Sequence, residues 1–111
     1  MDQTVDVIIV GAGASGLTAG IQAARQGARV LILEHMDKAG KKILATGNGK
    51  CNFTNEKQGI AYYRGKNPAF VLPSLRQFGV PETLRFFREL GVHGKAKRDG
   101  ETAAAYLIIY S

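Results

Sequence analysis

A single cysteine, Cys51, in a chain of 111 residues excludes an internal disulfide, and a chain without that staple fits a reducing cytosol. Long apolar runs are missing too. No stretch approaches the roughly 20 apolar residues that a membrane helix needs. The N-terminus lacks the layout of a secretory signal: Asp2 and Asp6 stand where a positive region belongs, and Gly11, Gly13 and Gly16 interrupt the apolar stretch. The sequence therefore reads as soluble and cytoplasmic, with no membrane partner. Acidic residues are in deficit, 9 against 15 basic, for a net charge of +6. The surplus gathers between Asp37 and Lys66, where Lys38, Lys41, Lys42, Lys50, Lys57, Arg64 and Lys66 face only Asp37 and Glu56. A basic stretch beside a glycine-rich loop suits a phosphate-bearing ligand, although the same charges also serve as a solvated surface. The stretch carries no RNA- or DNA-binding motif, so nucleic acid is not the expected partner.

What is present is the composition of one globular domain. The apolar share is 45%, well above the disordered range, and the length supports one modest core. Val5 to Val10 is a short apolar run rich in β-branched residues, as expected of a parallel strand buried on both faces. Ser15 to Gln26 carries Leu17, Ile21 and Ala24 at helical spacing, beside small Ala19, Gly20 and Ala23, and Gly27 sits where a helix-ending glycine belongs. Arg29 to Leu33 reads as a second buried strand. Residues 5–34 thus form one right-handed βαβ unit. Residues 35–66 dissolve into Gly, Lys, Asn and Thr and read as a long functional loop. Asn67-Pro68 opens a helix through about Phe78, interrupted at Pro73. Pro81 opens another, with Leu84, Phe87 and Leu90 on one face and Gly91 as its stop. Ala103 to Tyr110 is apolar, and its periodicity does not choose between strand and helix.

Gly11 to Gly16 reads GAGASG, a G-x-G-x-x-G pattern. Gly11 makes the tight turn off the first strand, Gly13 lets a pyrophosphate approach the backbone, and Gly16 lets helix and strand pack closely. Ala12 and Ala14 complete the loop, and Ser15 in the first helical turn offers a hydroxyl. The helix N-terminus adds free N–H groups and partial positive charge. Alone the pattern is weak. Here it has a strand before it, a helix after it, and Glu34 about 20 residues on at the end of the second strand. A carboxylate there accepts ribose hydroxyls and repels a 2′-phosphate, which disfavours NADP and leaves NAD and FAD open. The plainer reading is a glycine-rich turn without a ligand and a surface glutamate.

A second segment, GKKILATGNGKCNFTN over residues 40–55, combines glycines at 40, 47 and 49 with Thr46, Asn48, Asn52, Thr54 and Asn55. Glycines permit close backbone approach and the polar side chains offer hydrogen bonds. Lys41, Lys42 and Lys50 can screen a pyrophosphate. A plain NAD-binding unit proceeds to a helix here, whereas a flexible basic linker is the unspecific alternative.

Together, DVIIVGAGASGLTAGIQAARQGARVLILEH, GKKILATGNGKCNFTN and the following YYRGKNPAFVLPSLRQFGVPETLRFFRELGV closely resemble the start of the HI0933-like (BaiN/YhiN-like) family of bacterial NAD(P)/FAD-dependent oxidoreductases. The resemblance covers residues 5–92 and is most specific at Thr46 to Asn55. It implies an α/β, Rossmann-like FAD/NAD(P)-binding domain holding FAD non-covalently in an extended pose. On that resemblance Gly11, Gly13, Ser15 and Gly16 hold the pyrophosphate, and Glu34 the adenosine ribose. Lys42 with Gly47, Asn48, Gly49, Cys51 and Asn52 lines the cofactor toward the flavin. NAD(P)H is the implied reductant of the full-length proteins, and their small-molecule substrate is not legible. Lys50 stands where the family usually has Arg, keeping the charge but losing the planar fork. Cys51 has no C-x-x-C partner and reads as a small buried loop residue rather than a redox thiol. His35 and His93 are isolated, and no metal site is expected.

From residue 98 the sequence departs from that pattern and ends at Ser111, where the family continues for several times this length. The expectation is an incomplete domain: an N-terminal FAD-binding fragment of an oxidoreductase, not catalytic alone. The two other readings are a stand-alone adenine-nucleotide-binding module and a fragment of a tRNA-modifying flavoprotein relative. No residue is nominated as a catalyst.

Overall fold

The computed structural model describes residues 4–45, 50–97 and 104–108. The chain divides into two compact units, Met1–Thr46 and Gly47–Ser111. The architecture is α/β.

In the first unit β1 (Val7–Val10) and β2 (Val30–Leu33) pair in parallel, Val7 opposite Val30 and Val10 opposite Leu33. The crossover between them is α1 (Ala14–Arg25), as a parallel pair requires. Gly27 at φ +89° turns the chain out of α1 toward β2. The helix lies on the strand face carrying Ile9 and Ile32. It comes so close that a Cβ on buried Gly20 would lie 2.9 Å from Ile32 Cδ1 and 3.4 Å from Ile9 Cδ1. An ion pair between Arg29 and Asp6, 3.3 Å, closes the end of the sheet. The sequence reading had both strand faces buried, and the structure covers one. Burial alternates along both strands, and Ile8 (59% exposed), Val10 (85%), Leu31 and Leu33 stay open on the far face. A single crossover helix shields one side of its sheet only.

The segment expected as loop from 35 to 66 contains regular structure. After a turn at Gly40 (φ +68°) come a short helix, α2 (Lys41–Ala45), and, in the second unit, β3 (Lys50–Asn55). The apolar C-terminal run resolves as a strand, β5 (Ala104–Ile108). It is the middle strand of an antiparallel sheet in the order β3-β5-β4, where β4 is Gly94–Lys97. Cys51 pairs opposite Leu107 and Asn52 opposite Tyr106, with a register shift before Thr54.

The expected helix from Asn67 is broken more than Pro73 alone foretold. Pro68–Val71 is a 3₁₀ turn, α3 (Leu72–Gln77) follows, and the Asn67 side chain does not cap. The next helix, α4 (Val80–Glu89), is capped by Glu82, whose carboxylate accepts the Gly79 N–H at 3.0 Å. Gly91 at φ +80° ends it. Its inward residue is Phe86, 6% exposed, while Leu90, expected inside, is 40% exposed. Phe86 meets Phe78 edge-on at 6.2 Å and Phe87 at 5.4 Å, and Phe87 tilts against Phe53 of β3 at 4.5 Å. Among the described residues this aromatic chain forms the core of the second unit.

Candidate functional site

The site is built in the first unit, where β1 runs into the glycine loop. Gly11 continues the sheet ladder, donating its N–H to Leu33 C=O at 2.7 Å, and then turns at φ +100°. That left-handed conformation is what glycine supplies cheaply. Gly13 caps α1 with extended backbone and no side-chain hydrogen bond, and no acidic residue lies in the first turn. The first amides of a helix have no intrahelical partner, so those of Ala14, Ser15 and Gly16 face outward for an anion. A Cβ on Gly13 would meet nothing within 4 Å, which leaves its surface open to a ligand. Gly16 is the opposite case. A Cβ there would collide with the Gly11 carbonyl oxygen and lie 3.3 Å from Ile9 Cγ2. Gly16 therefore serves helix packing.

Ala12, between Gly11 and Gly13, is 3% exposed, and both of its backbone groups are committed. Its N–H donates to Glu34 Oε2 at 2.7 Å, and its C=O accepts from Gly40 N–H at 2.7 Å. Glu34 Oε1 accepts from Met36 N–H at 3.1 Å and lies 3.1 Å from Nδ1 of exposed His35. The backbone N–H groups of Ala12 and Met36 hold this carboxyl below the ordinary 4.5, with His35 adding a smaller favourable charge. Glu34 is thus an ionised, fixed acceptor. A carboxylate offers about four lone-pair positions, so acceptor capacity remains for sugar hydroxyls.

Gly11, Ala12, Gly13 and Glu34 line a cavity of about 200 Å³ with His35, Met36, Lys38, Lys41 and Lys42. That is smaller than the roughly 300–1,000 Å³ of ordinary ligand pockets, and suits one end of a long ligand. Five expected site residues, Gly11, Ala12, Gly13, Glu34 and Lys42, meet here, with Ala14, Ser15 and Gly16 following in α1. Gly47, Asn48 and Gly49 lie outside the described residues. Cys51 and Asn52 belong to β3 of the second unit, where only their backbone is described. Lys38, His35 and Met36 were missed as wall residues. Their signal was their position, directly after the strand-end acid. Among the described residues no group of His, Cys, Asp and Glu could hold a metal ion, and no helix is long and apolar enough to cross a membrane.

A strand, a glycine turn, an uncapped helix N-terminus and a strand-end carboxylate facing one cavity define a dinucleotide-binding Rossmann domain. The family model of the HI0933-like protein Rossmann domain matches residues 5–105, and the chain belongs to that family. The match runs into the tail that the sequence reading set apart from residue 98. The chain is 52% identical over 91 residues to a 3-dehydro-bile acid delta(4,6)-reductase of Clostridium scindens, covering 80% of this chain and 22% of that protein. It is 37% identical over 101 residues to a ribosomal RNA dihydrouridine synthase of Haemophilus influenzae, covering 91% of this chain and 25% of the relative. A third relative, AofH of Mycobacterium tuberculosis, is named for flavin-containing monoamine oxidase activity; it is 35% identical over 80 residues, 72% of this chain and 17% of its own length. The chain spans about a quarter or less of the curated relatives it matches.

Proposed function

We propose that this chain binds FAD through its ADP half and serves as the N-terminal nucleotide-binding part of a flavin-dependent oxidoreductase. The observation that carries the reading is the Glu34 carboxylate held by Ala12 N–H at the mouth of the glycine loop. Ala14, Ser15 and Gly16 amides take the pyrophosphate over Gly13, and Glu34 takes the adenosine ribose. FAD, when bound, supplies a two-electron redox centre that no side chain of this cavity can replace. Among the relatives, the name of AofH supports a flavin, and the bile acid reductase and dihydrouridine synthase names support redox chemistry. NAD(P)H is the proposed reductant of the whole protein, and the cytoplasm its compartment. The proposed reading of the 111-residue chain is binding without turnover, since the cavity of about 200 Å³ at the glycine loop suits one end of the dinucleotide rather than a flavin ring held against a substrate.

An RNA substrate is a second reading. The name of the Haemophilus influenzae relative, a ribosomal RNA dihydrouridine synthase, supports it, and Tyr62 and Phe70 are exposed in a stretch that also carries exposed Arg64 and Lys66. It is secondary because nothing in the nucleotide cavity depends on it. The test of the main reading is a titration of FAD, ADP, NAD and NADP into the chain. FAD and ADP should bind and NADP should rank last; NADP binding as tightly as ADP would contradict the Glu34 assignment.

A further inference from the structure

We propose that Lys38 is a further ligand-binding residue of this cavity, meeting the diphosphate of the nucleotide together with Lys42. The inference rests on the nucleotide reading above and assigns the charge that reading leaves open. A diphosphate needs hydrogen-bond donors and positive charge, and the loop supplies fewer donors than its sequence implies. Ala12 lies where a phosphate would pass, yet its N–H is given to Glu34 and its C=O to Gly40. The Ala12 backbone therefore positions the acid, and its N–H is not free to donate to a phosphate. Donors that remain among the described residues include the first amides of α1 and the lysines of the cavity wall.

Those lysines are not equivalent. Lys41 Nζ is tied to Asp37 at 2.8 Å, four residues back. Lys38 and Lys42 are exposed, and among the described residues neither has an ion-pair partner. Among the described residues Glu34 is the one acid lining the cavity, and its charge already faces Ala12 and Met36 N–H. The wall thus carries unmatched positive charge beside the glycine loop, which is the condition for an anion site. Lys38 is also placed with some precision. The segment from Glu34 to Gly40 is fastened to Ala12 at both ends, by Glu34 Oε2 and by Gly40 N–H. The backbone of Lys38 is thereby tied to the loop and lines the same cavity, while its exposed side chain is ordered only on binding.

The test compares ADP with adenosine, which share the base and sugar and differ in the diphosphate. Binding of each is measured for the parent chain, Lys38→Met, Lys38→Arg and Gly13→Val, at low and high salt, with circular dichroism to confirm folding. Lys38→Met should weaken ADP by about three- to tenfold, the range between an exposed ion pair and a charged hydrogen bond, and leave adenosine unchanged. Lys38→Arg should restore ADP binding, and added salt should narrow the difference. If Lys38→Met binds ADP like the parent, or loses ADP and adenosine equally, the role of Lys38 is refuted. Loss of ADP in Gly13→Val with no effect of Lys38→Met refutes only Lys38. Unchanged ADP binding in Gly13→Val refutes the loop assignment, and the Lys38 proposal falls with it.

Discussion

Glu34 and Ala12, 22 positions apart, are joined by a 2.7 Å hydrogen bond from the Ala12 N–H to Glu34 Oε2. The bond links the end of β2 to the glycine loop after β1, so the residue proposed to read the sugar and the loop proposed to receive the phosphates are tied directly together. Its partner bond, from Met36 N–H to Oε1, fixes the other oxygen.

Glutamine at position 34 tests this pair. Its amide has one oxygen and one NH₂, so one of the Ala12 and Met36 N–H groups would face a donor. Glu34→Gln should weaken ADP by about ten- to a hundredfold, the loss of a charge-assisted acceptor plus an unpaired donor. Discrimination against NADP should shrink with it. Calorimetric titration of parent and variant with ADP and NADP measures both, and an unchanged NADP-to-ADP ratio would mean that Glu34 does not read the ribose.

The same geometry sets a pH dependence. Glu34 titrates below the ordinary 4.5 because Ala12 N–H, then Met36 N–H, favours its ionised form. A carboxyl lowered on folding contributes stability that is present above its unfolded value and is lost as pH falls through the folded one. Affinity for adenosine, which lacks the phosphate that titrates in this range in ADP, should therefore stay level from pH 7 to about 5 and fall only below the ordinary carboxylate range. Asp6, lowered by the side chain and then the backbone N–H of Arg29, adds acid sensitivity of the fold. Comparison with Glu34→Gln isolates the part belonging to the site; a parent affinity already falling between pH 7 and 5 would contradict the clamp.

Gly16 and Gly13 should separate packing from binding. A methyl at Gly16 meets the Gly11 backbone oxygen, which cannot move without opening the turn. Gly16→Ala should cost about 1–3 kcal/mol of stability and lower the thermal midpoint. Gly13→Ala enters open space with extended backbone and should leave the midpoint near the parent value. Equal midpoints for the two variants would argue against the described loop.

Turnover by the chain itself gives a fourth outcome. Hydride transfer requires a flavin ring held against a substrate with water kept out, and the cavity at the glycine loop is proposed to take only one end of a dinucleotide. NADH or NADPH consumption by the chain with added FAD should not exceed that of an equal amount of free FAD. An enzyme-dependent rate abolished by Gly13→Val would contradict the proposal of binding without turnover.

How far the sequence could be read depended on sequence distance. The strand, glycine turn, helix and second strand follow from local patterns, and Glu34 from its spacing to the loop. Gly40 was read as permitting close approach to a ligand; its N–H also reaches the Ala12 carbonyl at 2.7 Å, a contact no periodicity encodes. β3 went unseen because Lys50–Asn55 is polar and becomes a strand by pairing with Ala104–Ile108 far along the chain. On α4 the apolar residues Leu84, Phe86, Phe87 and Leu90 allow two overlapping faces. The choice of Phe86 was made by the rings of Phe78 and Phe87 around it.

The central claim is that a dinucleotide lies across Gly13 with its ribose on Glu34, and Gly13→Val addresses it most directly. The position is open and its backbone is accessible to valine, so the fold should survive while branched methyl groups occupy the phosphate path. Titration of FAD into parent and variant, with far-ultraviolet circular dichroism on the same samples, gives the answer. The account predicts measurable FAD binding by the parent, none by Gly13→Val, and matching spectra. A variant of matching spectrum that binds FAD as the parent does would contradict it.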